Sequence, residues 1–213
     1  YCYFKGTQLG VAGIGGVLVT TMVPILTTIL STIIFKTKIN KNVKLGISLG
    51  LLSGIILLKL WEYDIETLIL SGNIFFISGA ILWSFLTILT QKITIEIPSL
   101  HFSFLVFLFS TIITFLYSPS SIDFSIFNSD INFWLNFISV TFGAMAFGTV
   151  AFFYATQKLG ATVASSFTFL VPVSAIIFSI ILLNEIPDLV SWIGCTIAIS
   201  AVIIINYSKF LIK

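Results

Sequence analysis

Seven stretches of about 17 residues or more carry almost no charge, and that pattern removes most folds from consideration. They cover residues 6–35, 45–61, 67–91, 97–122, 131–157, 159–184 and 189–208. Crossing the roughly 30 Å hydrocarbon core of a bilayer takes about 20 apolar residues of helix. Inside that core every backbone N–H and C=O must find a partner within the protein, which leaves helices or a closed barrel. A barrel needs strands of about ten residues with polar alternate positions. Residues 29–35 and 176–183 are apolar on every side apart from isolated Ser and Thr, so the chain reads as an all-α, polytopic transmembrane bundle. Lys59 interrupts the second stretch one turn from its end, where its long stem can carry the ammonium to the interface. Trp61 and Tyr63 mark the headgroup level beside it.

Composition narrows the function. Only 8% of the 213 residues are charged, against about 25% in a soluble domain, and a disordered chain needs the opposite balance. A net charge of +2 from scattered lysines gives no basic stripe for nucleic acid. Cys2 and Cys195 stand far apart in apolar sequence, so neither a disulfide framework nor a metal site is indicated, and no motif implies a cofactor. A Gly-rich nucleotide loop with Lys-Ser/Thr is also missing, which argues against direct ATP drive. An intramembrane enzyme would need a nucleophile, acid or metal cluster at depth, and a single peripheral His101 with two lone thiols does not supply one. His101, opening a span after Pro98, is read as an interfacial anchor. The chain opens Tyr1-Cys2-Tyr3-Phe4 with no basic flank or small-residue cleavage site ahead of an apolar stretch, so it is not read as a secretory leader. It reads as the tail of a further helix in a fragment.

Topology follows from the lysines. If the loop holding Lys36, Lys38, Lys41 and Lys44 is cytoplasmic, then Lys92, Lys158, Lys209 and Lys213 also fall inside, and only Lys5 and Lys59 lie outside. That places the chain in the plasma (inner) membrane with a cytoplasmic C-terminus. An internal repeat accompanies this topology. A shift of 148 residues pairs Pro24 with Pro172, Leu45 with Ile193, Gly46 with Gly194, Gly50 with Ala198 and Ser53 with Ala201. Five spans separate equivalent positions, and an odd number inverts the second copy. Inverted repeats around a midplane site are a recurrent plan of secondary transporters.

The stretches Gly160-Ala161-Thr162, Leu170-Val171-Pro172-Val173, Leu182-Leu183-Asn184-Glu185 and Trp192-Ile193-Gly194 resemble the second repeat of the EamA family, in the drug/metabolite transporter superfamily. Pro24, Phe35-Lys36 and Leu45-Gly46 with Gly54 are similar to the same signature in the first repeat, except that Thr37 stands where the second has Glu185. The resemblance implies ten helices in two inverted five-helix halves. This chain would hold the end of one helix and seven complete ones, with residues 1–61 closing the first repeat and residues 67–208 forming the second. It further implies a permease for a small organic solute, commonly an exporter.

The candidate substrate path is drawn from polar and helix-breaking residues in the spans. Pro24 and Pro172 each remove one backbone hydrogen bond mid-helix, a break tolerated where Ser/Thr or a cavity satisfies the freed carbonyl. Thr20, Thr21, Thr27, Thr28, Ser165, Ser166 and Thr168 surround them. Asn73 near one helix end, Trp83 near the middle of the same helix and Tyr154 toward an inner end complete the candidates with Thr168. The family resemblance implies that Trp83 faces the cavity. Three small-residue stripes suit close helix packing, Gly46/Gly50/Gly54, Ala144/Gly148/Ala151/Ala155 and Gly160/Ala164/Thr168/Pro172. The first of these has a second use as a homodimer surface.

No Asp, Glu, Lys or Arg lies centrally in any complete span, so these residues contain no carrier for a buried-carboxylate proton relay. The solute is therefore expected to be neutral or zwitterionic. The competing function is a non-transporting membrane sensor or assembly subunit on the same fold. Impermeant thiol labelling should find Lys41→Cys and Glu185→Cys on opposite faces of the membrane, and reaction of both from one face would overturn the inverted topology.

Overall fold

The computed structural model describes residues 1–10, 12–36, 38–63, 72–117 and 124–210, and within them the chain is helical. The helices are α1 (Cys2–Leu9), α2 (Ala12–Phe35), α3 (Lys41–Leu57), α4 (Asn73–Ile93), α5 (Ser99–Tyr117), α6 (Ile131–Leu159), α7 and α8 (Leu189–Phe210). Helix α7 is a composite of an α turn Ala161–Ser166, a tighter 3-10 turn Phe167–Leu170, an α segment Val171–Phe178 and a wider π turn Ser179–Leu183. Helix α6 is likewise wound as a π-helix over Ser139–Gly148.

Six of these helices are long and apolar enough to cross a bilayer. Of the seven expected spans, the one that falls short is α3. Its 17 residues extend about 26 Å at 1.5 Å per residue, ending at Leu57, with Leu58 as its cap just before Lys59 turns into the left-handed region at φ 48°. The first expected stretch, residues 6–35, is not one helix. Gly10 takes an extended conformation (φ −139°) and ends α1 before α2 begins at Ala12. The expected extensions over residues 67–71 and 118–122 lie outside the described residues. Elsewhere the ends follow capping chemistry: Asp130 accepts the Phe133 N–H at 2.9 Å to start α6. Gly160 at φ +84° makes the reversal into α7 that a side chain would strain.

The chain divides into two compact units. Residues 89–160 form one, comprising the end of α4 with α5 and α6. There the Gln157 side-chain amide donates to the Thr94 carbonyl at 2.6 Å, and the Phe102 and Phe153 rings lie 5.4 Å apart. The stripe Ala144/Gly148/Ala151/Ala155 of α6 does not pack as expected: Ala144 and Ala151 are exposed, and open space lies around Gly143. Small residues permit close approach but attract nothing themselves, so the stripe needs a facing helix that the described residues of this unit do not provide.

The other unit, residues 1–88 and 161–213, is built on the antiparallel pair α3 and α8. Gly46, Gly50, Ser53 and Gly54 of α3 are buried. They face Cys195, Ala198, Val202 and Ile205, buried residues recurring at helical spacing on α8. The approach is close at both ends of the pair. A Cβ on Gly46 would meet the Ile205 side chain and come 2.8 Å from the Ala201 carbonyl, whereas one on Gly194 would come 2.6 Å from the Leu57 side chain. Between them the Ser53 hydroxyl donates to the Gly194 carbonyl at 2.9 Å. Gly50 accommodates the Phe169 ring and Gly54 the Thr21 side chain, so α2 and α7 lie against the same glycine face. Within the chain this face is thus fully occupied, which leaves the Gly46 stripe no free surface for a second copy.

Gly46→Ala should destabilise the protein by about 1–3 kcal/mol, since the Ala201 carbonyl behind the Ile205 side chain is backbone and cannot swing aside. Gly143→Ala, with nothing in reach, should leave thermal unfolding in detergent essentially unchanged.

Candidate functional site

Helices α2 and α7 cross at Thr20 and Thr168, and the crossing is held by the backbone defects that the prolines create. Pro24 sits inside α2 and has no N–H, so the carbonyl of Thr20 cannot receive its usual i+4 bond. The Thr168 hydroxyl takes that place, donating to Thr20 O at 2.9 Å, with Ser165 O sharing the same proton at 2.8 Å. Pro172 in turn frees the carbonyl of Thr168, which the Val171 N–H reaches by tightening the chain into the 3-10 turn Phe167–Leu170. The two prolines therefore behave differently: α2 stays α-helical through Pro24, while α7 changes winding before Pro172.

On one side of this crossing the helices splay around a cavity of about 350 Å³. Gly16, Val17 and Thr20 of α2, Leu57 of α3, Val171, Pro172, Ala175 and Ile176 of α7, and Ser191 of α8 line it. The lining is apolar with two hydroxyls and no ionisable group, a surface suited to the carbon skeleton of a solute with one or two hydrogen-bonding points.

An ion pair marks the end of the unit nearest this cavity. Lys59 Nζ lies 2.7 Å from Asp188 Oδ2 and 4.0 Å from Glu62 Oε1. Asp188 also caps α8, accepting the Ser191 N–H at 3.0 Å and its hydroxyl at 2.6 Å. The Lys59 ammonium first, and the two Ser191 donors next, hold the Asp188 carboxyl well below the ordinary carboxylate range. Asp188 raises the Lys59 ammonium above its usual value in return. Lys59 thus does carry its charge away from the span, toward a partner as well as toward water. Its side chain and that of Asp188 remain about a third and somewhat under half exposed, so salt screens the pair.

The structure brings together three of the six sequence-selected residues: Pro24, Thr168 and Pro172 meet through the Thr20–Thr168 crossing, and Pro172 lines the cavity. Asn73 is buried as the first residue of α4 and Trp83 is half-buried midway along it; neither lines the cavity. Tyr154 belongs to the other unit, is 54% exposed, and has the Lys158 ammonium 5.6 Å from its ring centre. Sequence reasoning missed Gly16, Ala175 and Ser191, although Asp188 followed three residues later by Ser191 is a readable helix-start signal. Among the described residues no three His, Cys, Asp or Glu side chains gather as metal ligands.

An all-α chain with six candidate membrane spans and an uncharged cavity among its helices is an integral membrane protein of the polytopic class. The sequence profile of the EamA-like transporter family matches residues 70–207, and the chain belongs to that family, hence to the drug/metabolite transporter superfamily. Among solved structures, one crystal structure of a protein shares the fold with a TM-score of 0.72 at 17% identity, covering 97% of this chain and 71% of its own. No curated protein matches the sequence.

The cap and the ion pair can be separated. Asp188→Asn keeps an acceptor for the Ser191 N–H and loses the charge, whereas Asp188→Ala loses both, so Tm in detergent should fall in the order wild type, Asn, Ala. For pH the sign follows from each shift. Asp188, whose folded pKa is depressed, contributes stability above its unfolded value and loses it only as pH falls through the folded one. Lys59, whose pKa is raised, contributes below 10.5 and loses it as pH rises beyond. The difference in Tm between wild type and Asp188→Asn should therefore be flat from about pH 5 to 9.

Proposed function

We propose that this chain is a secondary permease in the plasma (inner) membrane, C-terminus cytoplasmic, moving a small neutral or zwitterionic organic solute outward by alternating access. Its two halves, residues 1–61 and 67–208, act as inverted copies of one bundle. The observation that carries this reading is the reciprocity of contacts under the 148-residue shift. Leu57 against Gly194 becomes Ile205 against Gly46, and both contacts occur. Ser53 at Gly194 becomes Ala201 at Gly46, and both occur. Thr168 bonds to Thr20, its own equivalent, as residues on a two-fold axis between antiparallel copies do.

Chemistry supports the same function. The cavity at the crossing is uncharged and about 350 Å³, within the range of small-molecule sites. The helices around it are interrupted by proline and by changes of winding, where hydrogen bonds are held by side chains and can be exchanged. Thr20, Thr168, Pro24 and Pro172 are assigned to the solute path and its hinge; Asn73, Trp83 and Tyr154 remain assigned to the path on the sequence alone, apart from this cavity. The family's transport role supports a permease over an enzyme.

Reconstituted in liposomes, the full-length protein should move amino-acid-like or drug-like solutes. Thr168→Val, which keeps shape but removes the donor to Thr20, should reduce flux about tenfold or more, corresponding to the roughly 1.4 kcal/mol that a lost hydrogen bond costs. A sensor or assembly subunit would show no flux with any solute and no effect of this substitution on its folding partners.

A further inference from the structure

The turn that joins α2 to α3 carries four cations and no anion. Lys36, Lys38, Lys41 and Lys44 fall within nine residues and all are exposed, while no Asp or Glu occurs in residues 1–61 or 189–213. Among the described residues none of the four joins an ion pair, and the pairs of Lys59 lie at the far end of α3. Lys41 and Lys44 stand three apart on one helix, where like charges repel. A matching turn 148 residues on shows what is missing. There Asn184 leaves the helix in the left-handed region (φ 54°) as Lys36 does here (φ 52°), but that turn brings its own anions. Glu185 accepts the Ser179 hydroxyl, and Asp188 pairs with Lys59 and accepts both Ser191 donors. In the first turn Thr37 and Asn40 occupy the places of Glu185 and Asp188. One turn is thus neutralised from within the chain, and the other is left positive.

The surface directly below the lysines says what kind of anion fits. Helix α2 is a candidate span as far as Phe35, so Lys36 is the first residue beyond it, at headgroup level. Beneath the charges, Ile33 and Ile34 of α2 and Leu45 and Leu52 of α3 are exposed. On α3 these two leucines continue the exposed stripe of Lys41, Lys44 and Ser48 toward the membrane interior. The patch therefore has two tiers, ammonium groups above and branched aliphatic side chains below. A soluble polyanion or free phosphate meets only the upper tier, whereas an acidic phospholipid meets both. We infer that the α2–α3 turn is a binding surface for anionic phospholipid, with the phosphate among Lys36, Lys38, Lys41 and Lys44 and the acyl chains along Ile33, Leu45 and Leu52. The attraction is the one that draws juxtamembrane basic segments to acidic lipid, about fivefold in affinity for each lysine a headgroup meets. It stands apart from the solute path and does not depend on the transport reading.

The test uses the full-length protein in phosphatidylcholine vesicles, with Cys2 and Cys195 replaced by Ser and a bimane fluorophore on Asn42→Cys. The probe is a small fraction of phosphatidylglycerol carrying a nitroxide quencher on its acyl chain near the headgroup, compared with phosphatidylcholine labelled in the same way. Both leaflets hold the probe, so the orientation of the protein does not matter. Labelled phosphatidylglycerol should be enriched about fivefold or more around Asn42→Cys at low salt, and the enrichment should fall steeply as salt screens the lysines. Replacing all four lysines by Gln should abolish it and leave quenching by labelled phosphatidylcholine unchanged, which a misfolded chain would not do. Replacing all four by Arg should restore it. Bimane on Tyr63→Cys, at the end where Lys59 is paired, should report no enrichment.

Equal quenching by the two lipids at Asn42→Cys would overturn the inference, as would enrichment that survives the four Gln substitutions. Equal enrichment at Tyr63→Cys would overturn it too, by showing a general preference of the protein for acidic lipid. Displacement of the labelled lipid by inorganic phosphate, where chloride at the same ionic strength displaces none, would assign the lysines to a free anion instead and overturn the lipid site.

Discussion

A carbonyl stripped of its helical donor cannot be left bare in hydrocarbon, and the described core of this protein is arranged around that constraint. Pro24 strips Thr20, and a hydroxyl on another helix, Thr168, makes good the loss. Pro172 strips Thr168, and a local change of winding makes good that one. The first solution ties α2 to α7, and the second loosens α7 on one side of the tie. A joint that is bonded but irregular results where two helices cross, beside a cavity that one of those same prolines lines.

Around the joint, the α3–α8 pair supplies a rigid frame. Its rigidity comes from backbone proximity: Gly46 and Gly194 bring main chain against side chain closely enough that a single methyl group has nowhere to go. Lipid offers no hydrophobic drive for helices to associate, so contact of this intimacy together with the buried Ser53–Gly194 hydrogen bond is what holds the pair. The Lys59–Asp188 ion pair joins the ends of the same two helices outside the spans, where water and salt weaken it, and so contributes little rigidity beside the glycine face.

Much of the joint was legible in the sequence because its cause is local. Proline lacks an N–H wherever it occurs, and a nearby Thr is a ready donor, so Pro24, Pro172 and Thr168 could be selected without coordinates. The choice of Asn73, Trp83 and Tyr154 had no such local cause. A half-buried Trp in an apolar helix looks the same from the sequence whether it packs or lines a path, and none of the three lines the cavity. The stripe at Ala144 misled for a related reason: small side chains announce that a close neighbour can be tolerated, not that one is there. The break at Gly10 was hidden because an isolated glycine in a membrane helix is commonplace, and only its extended conformation separates α1 from α2.

By itself the sequence determined the solvent and the secondary structure: long runs without charge require lipid, and lipid requires that the backbone close its hydrogen bonds within each helix. It also determined where proline would leave those helices short of a hydrogen bond. Tertiary structure decided which helix repairs each defect and which glycine face is filled by which neighbour. Those outcomes depend on contacts between residues as far apart as Thr20 and Thr168 or Gly46 and Ile205. No local propensity encodes such contacts, because their energy exists only once two helices have met.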